Sequence, residues 1–214
     1  MFSYHLLLGS TSTLSMQCSI QECPFGCTFG FLAAIKCDGS WNMNSIRVGR
    51  QERVYEMTLK RTLQSICMLT VHPNTTTSVV LQVVGDDGSL LPCAINASCA
   101  ALAFAGIPLK HLAVAIGCGV VENGGVILDT NTAEEQQLKS FAHLVFPSSR
   151  KVVGSKEPKQ KDVEFERGLI TSISHGVMSE DDYLNCIERG VAASSRISDF
   201  MRKTLQKEAA SVAA

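Results

Sequence analysis

Net charge and long apolar runs are both scarce in this sequence. Its 214 residues carry 19 Lys and Arg against 20 Asp and Glu, so overall charge predicts no polyanion partner, and any nucleic-acid site must come from local clustering. No stretch approaches the roughly 18 apolar residues of a membrane span. The opening MFSYHLLLGSTSTL lacks the basic start and the apolar length of a secretory signal. We therefore expect a soluble, intracellular protein built around one sizeable domain.

Paired cysteine motifs are absent as well, although cysteine itself is abundant. The nine cysteines include no CxxC and no arrangement with histidine at zinc-ligand spacing, so we expect no structural zinc. From Cys67 onward each cysteine lies among apolar or small neighbours, as reduced thiols do in cytosolic or nuclear proteins. The pattern indicates a reducing compartment.

Regular secondary structure is predicted from Val54 onward. Apolar residues that recur at intervals of three and four predict an amphipathic helix that ends at the HPNTTT segment and its Pro73. The β-branched run SVVLQVV predicts a buried strand. The small-residue run PCAINASCAALAFAG predicts a helix from near Pro92 to Gly106.

Four strands and a long helix are predicted for the rest of the chain. HLAVAIGCGVV and GGVILD form a hairpin in which Asn123 and Gly124 supply positive φ angles. SFAHLVF and GLITSISHG follow, separated by a polar segment, 149–167, that we interpret as an exposed loop. Ser179 is the predicted N-cap of the last helix. The order predicts an α+β fold in which a sheet is layered with helices.

The run YEMTLKRTLQSICMLTVHPNTTTSVVLQVVGDDGSLLPCAINASCAALAFAGIPLKHLAVAI resembles the RNase PH family, and in particular its subunits of the eukaryotic RNA exosome ring. The resemblance extends from about Gly49 to Lys207 and includes the DDGS turn and LD with an acid six residues later. It implies the RNase PH-like fold, also described as ribosomal protein S5 domain 2-like. It also implies membership of a six-subunit ring that threads single-stranded RNA.

The family's phosphate-binding signature is changed in this chain. Active relatives carry Gly-Thr-Arg at the start of the small-residue helix, where the helix N-terminus and an arginine hold the anion. The matching positions here are Ser89, Leu90 and Leu91. The resemblance therefore implies a degraded phosphate site, and phosphate-dependent 3′ exoribonuclease activity is the least favoured function.

The family's acidic pair is retained in altered form. Active relatives place two aspartates six residues apart, and the matching positions here are Asp129 and Glu135. As catalytic residues they could bind Mg²⁺ and orient a water for phosphodiester hydrolysis, although no cofactor is certain. The alternative is a relic or a solvated loop. Both interpretations remain open at this point.

Basic residues at the start of the first predicted helix are candidates for RNA contact. Relatives place RNA-gripping residues where this chain has Arg50, Gln51 and Arg53. The alternative is an ordinary solvated helix start. The histidines show no metal-ligand spacing, so we expect structural or surface roles for His72, His111, His143 and His175.

Residues 1–48 depart most from the family. Relatives begin with strands of the same sheet, and these strands are predicted to be missing or altered here. We therefore divide the chain into a divergent N-terminal segment (1–48), an RNase PH-like domain (49–208) and a tail (209–214). A sheet that lacks strands would have exposed edges.

The function expected from the resemblance is that of a core exosome-ring subunit. Such a subunit would contribute RNA binding and scaffolding to 3′-to-5′ RNA processing and degradation, including rRNA maturation. The alternative is a metal-dependent hydrolytic nuclease that uses Asp129 and Glu135. Expected partners are other RNase PH-like subunits, single-stranded RNA and a second copy of this chain, with no membrane. The expected locations are the nucleus, the nucleolus and the cytoplasm.

Overall fold

The computed structural model of the protein describes residues 13–16, 30–37, 50–71, 77–85, 87–148 and 168–212. The strands are β1 (Thr13–Met16), β2 (Gly30–Cys37), β3 (Thr77–Gly85), β4 (Leu112–Val121), β5 (Val126–Leu128), β6 (Leu138–Ser148) and β7 (Thr171–Gly176). The helices are α1 (Arg50–Ile66), α2 (Leu90–Phe104), α3 (Thr132–Glu135) and α4 (Glu180–Val212).

The strands form two antiparallel sheets. One has the order β1-β2-β3 and the other the order β5-β4-β6-β7. From α1 onward the predicted order of helix, strand, helix, four strands and helix is confirmed, with the four-residue α3 as an addition. The α+β prediction is therefore correct.

Helices α2 and α4 both pack against the four-stranded sheet, and they also contact each other. Two glycines mark where each helix comes close. A Cβ on Gly117 of β4 would lie 2.7 Å from Oγ of Ser89, directly before α2. A Cβ on Gly190 of α4 would lie 2.9 Å from the Phe146 ring on β6. Small residues along α2 let it pack closely, and most of them are buried.

Five cysteines of the described region form no disulfide. Cys67, Cys99, Cys118 and Cys186 are buried, and Cys93 is half-buried. Burial raises the pKa of the Cys67 and Cys99 thiols to about 11, so both are neutral near pH 7. The prediction of buried, reduced thiols is confirmed for these four residues.

Helix boundaries differ from the predictions because tertiary partners replace helical ones. Helix α1 ends at Ile66, ahead of the predicted stop at Pro73. The carbonyl of Ile66 accepts a hydrogen bond from Lys110 N at 2.8 Å, and Met68 N donates to Pro108 O at 2.9 Å. At the other helix, α2 already begins at Leu90, two residues before Pro92.

The hairpin between β4 and β5 uses one positive φ angle where two were predicted. Gly124 has φ +78°, whereas Asn123 does not have a positive φ. Gly124 N donates to Val121 O at 2.9 Å and closes the turn, and the Asn123 side chain accepts from Gly125 N at 3.3 Å. Asn123 therefore contributes through its amide oxygen, and the prediction for its backbone is wrong.

Two strands lie within the N-terminal segment 1–48. The predicted strand in FGFLAAIK is confirmed as β2, which pairs with β1 and β3. The N-terminal strands were expected to be missing or altered, and these two strands are present. Helix α4 continues to Val212, into the predicted tail, and the predicted loop 149–167 lies outside the described residues. Within the described helices, none combines the length and apolar character needed to cross a bilayer.

Gly88 is held in a conformation and a space that exclude a side chain. Its φ is +97°, and a Cβ there would lie 2.5 Å from the backbone oxygen of Thr130 and 2.8 Å from the carbonyl carbon of Asn131. Backbone atoms cannot rotate away as a side chain can. The segment before α2 is therefore pressed against the segment after β5.

We predict that Gly88→Ala lowers the free energy of unfolding by about 3 kcal/mol or more, because strain and a backbone clash add. Gly106→Ala is the matched control. It has φ +75° with none of the described atoms within 4 Å of the new Cβ, so we expect only about 1–2 kcal/mol. Urea unfolding measures both values, and equal losses would contradict the close approach at Gly88.

Candidate functional site

Two segments that are far apart in the sequence meet at the candidate site. The first is Asp87–Ser89, which precedes α2, and the second is 129–135, which follows β5. Thr132 N donates to Asp87 O at 2.9 Å, and Ser89 Oγ donates to Thr130 O at 3.2 Å. Together with the close approach at Gly88, these bonds fix the second segment over the start of the helix.

The N-terminus of α2 is capped by a carboxylate from the second segment. Ser89 occupies the N-cap position with φ 46° and ψ 36°, and its own hydroxyl does not cap the helix. Its backbone N–H donates instead to Oε1 of Glu135 at 2.7 Å. The bond is charge-assisted, and the negative charge lies where the helix dipole is positive. The structure therefore brings two predicted site residues, Ser89 and Glu135, into direct contact.

A capping box holds the neighbouring acid, Glu134. The Asn131 side chain accepts from Glu134 N at 2.8 Å, and Oε2 of Glu134 accepts from Asn131 N at 3.0 Å. The box makes the turn of α3 that directs Glu135 toward Ser89. The pattern Asn-Thr-Ala-Glu carries the capping-box signature, so this pair was predictable from the sequence although it was not predicted.

Asp129 lies at the end of β5 in a left-handed conformation. Its φ is +56°, its N–H donates to Gly117 O at 2.9 Å, and its side chain is half-buried. Aspartate tolerates this conformation better than most residues. Asp129 and Ser89 both contact Gly117, so they lie near each other at one corner of the domain.

The described residues fit a Mg²⁺ ion only in part. Asp129 and Glu135 are oxygen donors of the right type, and Mg²⁺ often binds one or two carboxylates together with substrate phosphates. One Glu135 oxygen, however, is already bonded to Ser89 N. In the described part of the chain, no group of three or more His, Cys, Asp and Glu residues could hold a metal. The catalytic and metal-binding roles therefore stay predictions.

The two leucines at the altered phosphate signature pack in or against the hydrophobic core. Leu91 is 1% exposed and belongs to the hydrophobic core, while Leu90 is half-buried against it. Neither side chain can donate a hydrogen bond to an anion. At the matching positions this chain therefore offers an apolar contact in place of a cationic one.

The predicted RNA-contact residues begin α1. Arg50 and Gln51 occupy its first turn, and Arg53 lies one turn further with an exposed side chain. Arg53 therefore holds a cationic group at solvent, as RNA contact requires. The assignment itself stays a prediction.

The described histidines differ in their surroundings. His143 on β6 is 7% exposed, and burial together with the charge of His175 lowers its pKa to about 4. His143 is therefore neutral near pH 7. His175 on β7 is exposed, and partial burial with nearby Lys110 lowers the pKa of His111. His72 lies outside the described residues.

Comparison with known proteins defines the class. Residues 21–108 match the profile of the 3′ exoribonuclease family, domain 1, also called RNase PH. The chain is 79% identical over 169 residues to the exosome complex exonuclease RRP46 homolog of Oryza sativa, which covers 79% of this chain and 71% of that protein. This protein belongs to the RNase PH family.

Within that family, two further comparisons involve plant proteins named RRP46. The Arabidopsis thaliana exosome complex exonuclease RRP46 homolog is 58% identical over 170 residues, covering 78% of this chain and 70% of that protein. The crystal structure of rice Rrp46 superposes with a TM-score of 0.76 and 59% identity, covering 96% of this chain and 94% of that one. The predicted RNase PH-like fold is therefore confirmed.

The same fold occurs in a solved structure of low sequence identity. The Archaeoglobus fulgidus exosome with RNA bound to the active site matches with a TM-score of 0.63 at 10% identity, over 93% of this chain and 86% of that one. At this identity the likeness concerns the fold alone.

We predict that Glu135→Ala removes the cap from α2. The free energy of unfolding should fall by about 1 kcal/mol, which is typical for the loss of an N-cap. Hydrogen exchange at the Ser89 amide should accelerate because its acceptor is gone. Gln136→Ala is the control, since this neighbouring side chain is exposed. Unchanged protection of the Ser89 amide in Glu135→Ala would contradict the contact.

Proposed function

We propose that this protein is a core subunit of the RNA exosome ring. It would contribute RNA binding and scaffolding to 3′-to-5′ RNA processing and degradation, including rRNA maturation. Support comes from the rice and Arabidopsis relatives, both named as exosome complex exonuclease RRP46 homologs, and from the structural match to rice Rrp46. Within the ring we assign it to the subunit known in animals as exosome component five, on the sequence resemblance.

The contact between Glu135 and Ser89 is the observation that supports a role without phosphorolysis. A carboxylate already accepts the N–H at the start of α2, where the resemblance implies phosphate binding in active relatives. A phosphate arriving there would meet a negative charge, and the apolar Leu90 and Leu91 occupy the positions at which the resemblance implies a cationic side chain in active relatives. Repulsion between the Glu135 carboxylate and the incoming phosphate opposes phosphate binding. We therefore assign the site no phosphate-dependent activity.

RNA contact is proposed for the start of α1. Arg50 and Arg53 can bind phosphate oxygens through their guanidinium groups, and Gln51 can donate through its amide. Such contacts position an RNA strand without reading its sequence. This fits a subunit that guides single-stranded RNA toward another subunit for cleavage.

The alternative, a metal-dependent hydrolytic nuclease, uses the same corner of the domain. Asp129 and Glu135 would hold Mg²⁺, which supplies charge neutralisation at a phosphodiester when bound. For Glu135 to give both oxygens to the ion, its bond to Ser89 N must break. Because this bond is present in the structure, we rank hydrolysis below the binding and scaffold role.

Partners and location complete the proposal. The proposed partners are other RNase PH-like subunits and single-stranded RNA, and a second copy of this chain is the alternative assembly. We place the protein in the nucleus, the nucleolus and the cytoplasm, in line with the resemblance. Co-purification of the tagged full chain with RNase PH-like subunits would support the ring assignment, and its recovery only as a homodimer would oppose it.

We predict that the full chain binds single-stranded RNA in a salt-sensitive way. The double variant Arg50→Glu, Gln51→Glu should bind about tenfold to a hundredfold more weakly, because a charge-assisted contact is lost and a like charge is introduced. The slope of log affinity against log salt should also fall by about one. Fluorescence anisotropy with labelled oligoadenylate measures both quantities.

The matched control carries the same type of change on another helix. Lys203→Glu with Gln206→Glu replaces one cation and one glutamine on exposed positions of α4. This variant should bind RNA nearly as the wild type does. If both double variants bind equally, the contact assignment at the start of α1 is wrong.

A further inference from the structure

Three aromatic rings form a cluster on β6 and β7. The ring centroids of Phe141 and His175 are 4.9 Å apart with an interplanar angle of 28°, so the two rings are stacked. The centroids of Phe141 and His143 are 5.2 Å apart at a tilt of 55°. His175 lies directly opposite Phe141 in the sheet, which places both side chains on one face.

This cluster adjoins the candidate site on the same face of the sheet. Phe141 pairs with Gly119 of β4, and His143 pairs with Gly117. Residues of the candidate site reach the space above both glycines. A Cβ at Gly117 would meet Ser89 Oγ at 2.7 Å, and one at Gly119 would meet Leu138 Cδ1 at 2.5 Å and Thr130 Cγ2 at 3.0 Å. Phe141 and His143 therefore lie one strand, about 5 Å, from this row of β4, and His175 lies two strands, about 10 Å, from it.

The three aromatic side chains of the cluster differ in their exposure to solvent. His143 is 7% exposed and forms its inner part, Phe141 is half-buried, and His175 is exposed. In the described sheet β7 is an edge strand, so His175 lies at the rim. The exposed imidazole of His175 stacks against the phenyl ring of Phe141 and is therefore held in place. Such a flat ring loses little side-chain entropy when a ligand stacks on it.

Helix α1 runs toward the edge strand β7 of the same sheet. Its Ile66 carbonyl bonds Lys110 N, before β4 begins. Thr62 Oγ1 lies 2.9 Å from Thr171 Oγ1, at the start of β7. Residue 66 thus lies beside the start of β4 and residue 62 beside the start of β7. Toward its N-terminus the helix therefore crosses the sheet to the edge strand that carries His175. Its N-terminal half, with the exposed Arg53, continues in that direction.

We propose that His175, supported by Phe141, is a stacking platform for an unpaired base of single-stranded RNA. The proposal rests on the proposed RNA-binding function and adds the base contact to the phosphate contacts of α1. Aromatic and imidazole rings stack on any base, because every base has a π-face. An RNA held by cationic groups at the start of α1 would thereby present one base to β7, two strands from the β4 strand against which Ser89 lies.

The test compares two substitutions of one exposed side chain. In the full chain, His175→Ala should weaken binding of labelled oligoadenylate about fivefold or more, because one stacked base is lost. The slope of log affinity against log salt should not change, since no phosphate contact is removed. His175→Tyr keeps a flat ring and should restore binding.

A second ligand separates bases from phosphates. An abasic oligonucleotide of equal length keeps the phosphates and lacks the rings, so His175→Ala should leave its affinity unchanged. His111→Ala is the matched control, because this histidine lies immediately before β4, at the opposite end of the sheet from Phe141. It should bind both ligands as the wild type does.

The outcomes are distinguishable. Equal affinity of His175→Ala and His111→Ala for oligoadenylate would overturn the platform while the RNA-binding function stands. Loss of affinity for the abasic ligand as well would overturn it too, because the histidine would then act on phosphates or on folding. Failure of the wild type to bind RNA at all would overturn both the platform and the RNA-binding function.

Discussion

The hydrogen bond between Ser89 N and Glu135 Oε1 is the constraint on which the rest of the site depends. It needs a left-handed Ser89, a Gly88 without a side chain, and an α3 turn fixed by Asn131 and Glu134. Gly88 and the Asn131–Glu134 pair are of the residue types that their conformations favour, whereas Ser89 is a non-glycine residue with a positive φ. The bond joins residues 46 positions apart, so it also ties the start of α2 to the end of the β4–β5 hairpin and makes one rigid corner.

That corner explains how a family member can retain the fold while its anion site changes. A helix N-terminus attracts an anion whether this is a ligand or a side chain. In this chain the anion at the helix start is the carboxylate of Glu135. Leu91 belongs to the core, and Ser89 Oγ donates a hydrogen bond to Thr130 O. The helix start is therefore electrostatically satisfied without phosphate. Contacts with RNA are proposed to lie beside this corner, at the start of α1 and at His175.

Local patterns in the sequence predicted the elements, and long-range packing decided their details. The periodic α1, the β-branched β3 and the four later strands were predictable because burial imposes a spacing of 3.6 or 2 residues. The end of α1 at Ile66 was not, because Lys110 takes up its last carbonyl. Likewise Asp129 and Glu135 were found through the family resemblance, whereas the contact of Glu135 with Ser89 depends on tertiary structure. The pairing of Phe141 with His175 also follows from strand register.

The most direct test of the account is a titration of the wild-type protein with inorganic phosphate at constant ionic strength, followed through the backbone amide signals of Ser89 and Leu90. If the Glu135 carboxylate holds the anion position, these two signals should show no saturable shift. A saturable shift confined to the start of α2 would mean that phosphate displaces Glu135, and it would contradict the assignment of a site closed to phosphate.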